Sequence, residues 1–200
     1  MTSAEAITAF TALFVVIDPI GLAPLFVALT AGRSARARWF IGLRACIVAA
    51  AILIVFTLAG EAVLNFLGIS MPAFRIAGGL LLFLTALDML FDRRTKRREE
   101  KAEPGENDPS VFPLALPLIA GPGAIATMIL LADGSDALGV VSAIGVMLGV
   151  LALCLALFSL AAPMERALGA VGINVVTRLL GMLLAALSVQ FVLDGVLALV

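Results

Sequence analysis

The chain has 200 residues, of which 62 % are hydrophobic and only 14 % charged, with a formal net charge of -1; a soluble domain carries about 25 % charged residues. Its mean hydropathy of +1.17 leaves too little polar surface to coat a water-soluble globule, so an integral membrane protein is expected. No His and no Tyr occur, which excludes Ser-His-Asp and Cys-His nucleophilic sites, imidazole metal centres and histidine proton relays, and the near-zero charge argues against a nucleic-acid partner.

A helix needs about 20 mostly apolar residues to cross the hydrocarbon core. Six stretches qualify: Ala6 to Leu29, Trp39 to Ala59, Pro72 to Phe91, Val111 to Leu131, Leu138 to Ala162, and Val175 to Val200. The first has no positive flank and is longer than a signal-peptide core, so it is read as a retained helix. It is interrupted by Asp18-Pro19-Ile20-Gly21, with Pro24 following. A proline lacks the backbone donor and pushes the residue before it out of helical geometry. Asp is a favoured N-cap and Pro a favoured first helical residue, so a second half-helix is predicted to start here, inside the membrane. Asp18 could cap that half-helix, bind a coupling cation or meet a substrate ammonium.

The second and third spans carry Arg44 near Trp39, read as an interfacial anchor, and Arg75 near the opening of the third helix, read as snorkelling or as a partner of Asp18 or of the broken helices' carbonyls. The chain holds 13 Lys and Arg and 14 Asp and Glu, and twelve of these charges lie between Asp92 and Asp108. That run, residues 92–110, reads as a solvated loop between two halves, 1–91 and 111–200, of a single transmembrane domain. In the fourth span Gly121-Pro122-Gly123 repeats the logic of the first break, with Ala124, Ile125 and Thr127 on the following turn. Gly145 and Gly149 in the fifth span have the character of close helix packing. Cys46 and Cys154 sit alone in apolar stretches and read as buried hydrophobes. In the sixth span Arg178 matches Arg75, and Gln190 is deep enough to bond across helices or to a ligand.

A shift of 103 residues superimposes Pro19 on Pro122, Arg75 on Arg178 and Gly78 on Gly181, and one gap brings Leu67-Gly68-Ile69 onto Val171-Gly172-Ile173. Each half then has three spans, so the second enters from the opposite side. The fold expected is all-α, six transmembrane helices in two inverted three-helix repeats, the first helix of each broken at a proline, as in many secondary transporters. Loops after the first, third and fifth spans hold Arg33, Arg36, Arg38, the six basic residues of the central loop and Arg166. The positive-inside rule places that side in the cytoplasm and both termini outside.

The runs Ile17-Asp18-Pro19-Ile20-Gly21 with Pro24, Gly68-Ile69-Ser70-Met71-Pro72-Ala73-Phe74-Arg75-Ile76-Ala77-Gly78-Gly79, Pro113-Leu114-Ala115-Leu116-Pro117 with Ala120-Gly121-Pro122-Gly123, and Arg178-Leu179-Leu180-Gly181 with Gln190 and Gly195 together resemble the MarC family of bacterial and archaeal inner-membrane proteins. The resemblance implies six transmembrane helices, and one branch of that family is described as transporting small neutral amino acids such as glycine and alanine. Leu22 stands where related sequences often have Asn after the first motif's glycine, which removes a polar contact.

The function expected is secondary transport of a small neutral amino acid. Its carboxylate would lie at the half-helix N-termini formed by Asp18, Pro19, Ile20, Gly21, Leu22 and by Gly121, Pro122, Gly123, Ala124, Ile125, Thr127, with Arg75, Arg178 and Gln190 as a supporting polar network. A proton or sodium ion is the expected coupling ion. Export of amino acids or drugs, and a non-transporting scaffold, are the alternatives. No catalytic residue, cofactor or resident metal is expected, and the sequence leaves the oligomeric state open.

Overall fold

In a computed structural model the described residues are 2–91 and 108–199, and every element among them is helical. Most of the predicted central loop, 92–107, lies outside them. The first span is α1, Ser3–Ile17, continued by α2, Pro19–Leu29. A capping box in which Thr2 and Glu5 exchange hydrogen bonds starts α1 and satisfies two orphan N–H groups. Next come α3, Ala35–Phe66, and α4, Met71–Leu90, each capped by a serine, Ser34 and Ser70. The second half has a π-wound, irregular α5, Ser110–Ile119, then α6, Pro122–Ala132, α7, Ala137–Ser159, and α8, Ala161–Leu197.

Among the described residues five spans are long and apolar enough to cross a membrane, and α5 with α6 makes a sixth if that pair, bent by 57°, counts as one. The two breaks differ in kind. At Asp18 the chain runs on as one 27-residue span, whereas α5 never becomes an α-helix. Pro113 and Pro117 follow cis peptide bonds, and Phe112 (φ -128°, ψ 125°) and Leu116 (φ -121°, ψ 127°) are extended. The span predicted over Val111 to Leu131 is broken at Gly121-Pro122 as expected, but its first part is not a regular helix either: two prolines four residues apart deny the ladder its donors.

The other boundaries also move. The helix α3 has 32 residues and overshoots the apolar stretch Trp39 to Ala59 at both ends. The turn before the last helix falls at Leu160, and residues predicted as loop up to Asn174 are helical except for a break at Gly169 (φ 62°, ψ 174°). Gly68 and Gly169 have positive φ, and Gly172 does not.

In the first span's most apolar window 61 % is buried, against 22 to 39 % in the other four. The broken span is thus the centre of the bundle: α1 packs on α6, α7 and α8, and α2 on α7 and α8. Around it α3 packs on α5, α6 and α7, and α4 lies along α8. Leu58, Leu84, Leu138 and Val141 stay exposed, as expected of surfaces that face lipid. Cys46 and Cys154 are buried on α3 and α7 and are not joined by a disulfide, and Cys46 donates to the Leu151 carbonyl at 3.7 Å.

The helices α4 and α8 run antiparallel with their backbones almost touching. A methyl group on Gly79 would stand 2.8 Å from the Ser188 carbonyl oxygen, one on Gly181 2.9 Å from Met89 Cβ and 3.3 Å from the Ala86 oxygen, and one on Gly195 3.0 Å from the Pro72 oxygen. Small residues let membrane helices approach in this way. Gly145 and Gly149, read from sequence as packing residues, have nothing within 4 Å of such a methyl. We therefore expect Gly79→Ala to cost about 1–3 kcal/mol through overpacking, while Gly145→Ala and Gly149→Ala gain up to about 1 kcal/mol of helix propensity. Thermal melting of the three variants in one detergent checks the contrast; equal effects would contradict it.

Candidate functional site

Asp18 is fully buried and is the junction of α1 and α2. Its backbone is left-handed (φ 54°, ψ 63°), a conformation that Asp and Asn tolerate better than other non-glycine residues. Its N–H donates to the Phe14 carbonyl at 2.9 Å and its carbonyl accepts the Leu22 N–H at 3.0 Å. The Gly21 N–H, which an unbroken helix would give to Ile17, donates to Asp18 Oδ1 at 3.1 Å. Gly21 is required for this: a methyl there would lie 2.2 Å from Asp18 Oδ2. Pro19 and Leu22 are buried beside it, and Ile20 and Gly21 half-buried. The N-terminus of α2 thus carries its own acceptor.

The N-terminus of α6 is built differently. Gly121 is its N-cap, extended at φ -79°, ψ 169°, and offers no side chain. The first backbone bond of α6 runs from the Ile125 N–H to the Gly121 carbonyl at 3.0 Å. Pro122 has no N–H, and no acceptor among the described residues takes the N–H of Gly123 or Ala124, although both residues are buried. Buried N–H groups at a helix start favour an anion, through both their unmet hydrogen bonds and the helix dipole. Gly121 is held there by sterics, since a methyl would stand 2.5 Å from the Pro117 carbonyl oxygen.

The two breaks are neighbours. A methyl on Gly123 would lie 3.1 Å from Val16 Cγ1, two residues before Asp18, and 3.1 Å from Leu82 Cδ2 of α4. Thr127 is buried, and its hydroxyl donates to the Gly123 carbonyl at 2.8 Å, tying off the same turn. On the other side, Pro122 and Ile125 line an open cavity of about 630 Å³ together with Pro117, Phe56, Phe74 and Leu81. Its walls come from α3, α4, α5 and α6 and are almost wholly apolar.

The predicted polar network is not one network. Arg75, in the first turns of α4, pairs with Asp133, the C-cap of α6, and so not with Asp18; the pair is about three-quarters buried. Its positive charge also suits the carbonyl end of α6. Arg178 is exposed and joins neither ion pair formed by the described residues. Gln190 is exposed, and its Nε2 donates to Asp194 Oδ1 at 2.7 Å, one turn on. Arg44 pairs with Asp108 just before α5. Burial pulls the Asp108 carboxyl up, but hydrogen bonding from Ser110 and the Arg44 and Arg33 charges outweigh it and hold it below its ordinary value.

Sequence reasoning missed Asp133 as a site residue. The signal was present, an acid at the end of one half-helix on the same side of the membrane as Arg75. Arg75→Ala and Asp133→Ala should each cost about 1–3 kcal/mol, because each leaves a charged hydrogen bond unmade in a partly buried place. The double variant should cost clearly less than their sum; additive losses in thermal melts would mean the pair does not couple α4 to α6.

No solved structure matches the chain. Among curated proteins, it is 38 % identical over 198 residues to UPF0056 membrane protein MJ1677 of Methanocaldococcus jannaschii, covering 95 % of each chain. It is 36 % identical to UPF0056 membrane protein YhcE of Escherichia coli (94 % of this chain, 89 % of the relative) and 40 % identical to a UPF0056 membrane protein of Archaeoglobus fulgidus (93 % and 89 %). The profile described as MarC family integral membrane protein matches residues 4–200. With that match over nearly the whole chain and relatives this similar along their length, the chain belongs to the MarC family of integral membrane proteins.

Proposed function

We propose that the chain is a secondary transporter of a small neutral amino acid in the bacterial-type inner membrane. The observation that carries this reading is the pair of adjacent helix breaks at the centre of the bundle, one holding a carboxylate and the other two buried N–H groups without an acceptor among the described residues. A zwitterion complements that pair. Its carboxylate takes the Gly123 and Ala124 N–H groups, and its ammonium, or a coupling proton or sodium ion, turns toward Asp18. The substrate carboxylate is assigned to α6 alone, because Asp18 already occupies the start of α2.

An inverted repeat supports alternating access about this site. The half-helices α2 and α6 both have 11 residues, and each is followed by a positive-φ glycine, Gly32 and Gly134. Packing is exchanged between halves: α1 and α2 lie on α7 and α8, while α6 lies on α3 and α4. Gly79 meets Ser188 as Gly181 meets Ala86, an exchange that relates the halves by a shift of 102 and pairs Gly181 with Gly79 in place of Gly78. The arginines favour both termini outside, which C-terminal alkaline phosphatase fusions would test by being active.

Proteoliposomes given an inward proton or sodium gradient should accumulate radiolabelled glycine or alanine. Uptake no greater than in empty vesicles, for every small neutral amino acid and either ion, would sink the proposal. The apolar cavity beside Pro122 favours a second reading, export of apolar compounds or drugs. Efflux of an apolar dye that glycine does not inhibit would decide for it.

A further inference from the structure

At the arginine-rich end of the bundle, away from both breaks, a pocket of about 220 Å³ lies between the end of α2, the start of α3 and the junction of α7 with α8. Its apolar floor is Phe26 and Phe158, whose rings stack with centroids 4.4 Å apart and 2° between planes. Arg38 lines it, half-buried, with its guanidinium carbon 5.8 Å from the Phe26 centroid. Snorkelling would send this side chain outward to water; it folds back over the ring. Neither of the two ion pairs among the described residues includes it, and none of their hydrogen bonds uses its donors. Ser159 also lines the pocket and spends its proton on the Leu155 carbonyl at 2.9 Å, so the side-chain donors facing the pocket are those of Arg38.

A guanidinium stacked on an aromatic face with its fork free suits a phosphate. Trp39 on the rim and Phe40 beside it are 44 % and 49 % exposed, the placement of an aromatic belt at headgroup depth. The neighbouring Arg33 and Arg36 are exposed and add positive potential. The volume equals about seven waters, enough for a phosphate with its glycerol and too little for two acyl chains, which would stay in the bilayer past Trp39. We propose that this pocket binds the phosphoglycerol headgroup of an anionic phospholipid through Arg38.

Native mass spectrometry of the full chain with added lipid tests this. Phosphatidylglycerol should be retained about tenfold more than phosphatidylcholine, about 1.4 kcal/mol, because both carry the phosphate but the choline adds a bulky positive charge that Arg38 repels, whereas glycerol is neutral and compact. Arg38→Gln should remove that preference, and Arg36→Gln should change it less than about twofold, since its effect is only through a screened field. Ser159→Phe, which fills the cavity and leaves the charge in place, should lose the preference as well and covers the case in which Arg38→Gln does not fold. Equal retention of the two lipids by the natural chain, an unchanged preference in Ser159→Phe, or equal losses in the two arginine variants would overturn the proposal. Glycerol 3-phosphate should not displace the lipid; displacement at millimolar concentration would make this a site for soluble phosphate esters and would overturn the lipid assignment.

Discussion

Asp18→Ala should melt several degrees below the natural protein and Asp18→Asn close to it, yet both should lose transport. The stability difference follows from geometry. Alanine removes the oxygen that takes the Gly21 N–H, worth about 1 kcal/mol as a helix cap, and must hold φ 54°, ψ 63° at a cost of roughly 1–2 kcal/mol. A loss of about 2 kcal/mol lowers the melting temperature by about 4–8 °C in a chain of this size. Asparagine keeps an acceptor and tolerates the left-handed conformation. Transport separates the roles: if the charge meets an ammonium or a coupling ion, Asn at this position is as inactive as Ala, at least tenfold below the natural protein. Full uptake by Asp18→Asn would reduce Asp18 to a cap, whatever the melting curves show.

Hydropathy marks the thickness of the bilayer and not the ends of helices, and this explains which features the sequence displays. The apolar cores of the spans and the break at Asp18-Pro19 are legible because membrane burial and proline sterics act locally. The extra turns of α3 are not. Ser34 caps that helix, and Ala35 to Arg38 continue it into the polar boundary, where composition no longer distinguishes helix from loop. The same holds for residues 161–168 at the start of α8. The irregular α5 was visible in principle, since Pro113 and Pro117 stand four apart inside an apolar run, but apolarity alone makes the whole stretch look like one helix.

The site was legible in its position more than in its chemistry. Two proline-glycine breaks at matched places point to the centre of the bundle, and Val16 against Gly123 joins them there. The cap at Asp18 was among the roles its sequence position allowed, and the structure shows it. That the Gly123 and Ala124 N–H groups are left without an acceptor among the described residues depends on how α5 bends away before Gly121, which leaves no spacing signature. From sequence Arg75 reads as snorkelling, as a partner of Asp18, or as a cap on the carbonyls of the broken helices. It finds Asp133 because α4 packs on α6, a tertiary contact that no local pattern contains.

Gly21→Ala should reproduce the Asp18→Ala phenotype from the other side of the same contact. The added methyl would lie 2.2 Å from Asp18 Oδ2 and 2.8 Å from its Cγ, so the carboxylate must swing off the first turn of α2, leaving the Gly21 N–H unmet. The lost cap and the overpacking together cost about 2–4 kcal/mol; alanine's helix propensity offsets up to about 1 kcal/mol of it, leaving a net loss of about 2 kcal/mol. In an Asp18→Ala background the atoms that clash are gone. There Gly21→Ala should be neutral or stabilising, which gives a coupling of about 2 kcal/mol between two residues three apart, at the top of what neighbouring sites show. Uptake should be lost in Gly21→Ala and in the double variant alike, since neither holds the carboxylate where the natural chain does. If Gly21→Ala costs the same in both backgrounds, the carboxylate does not lie over Gly21 and the account of the first break is wrong. If it destabilises only with Asp18 present but transports normally, the contact is structural and the ammonium must be met elsewhere.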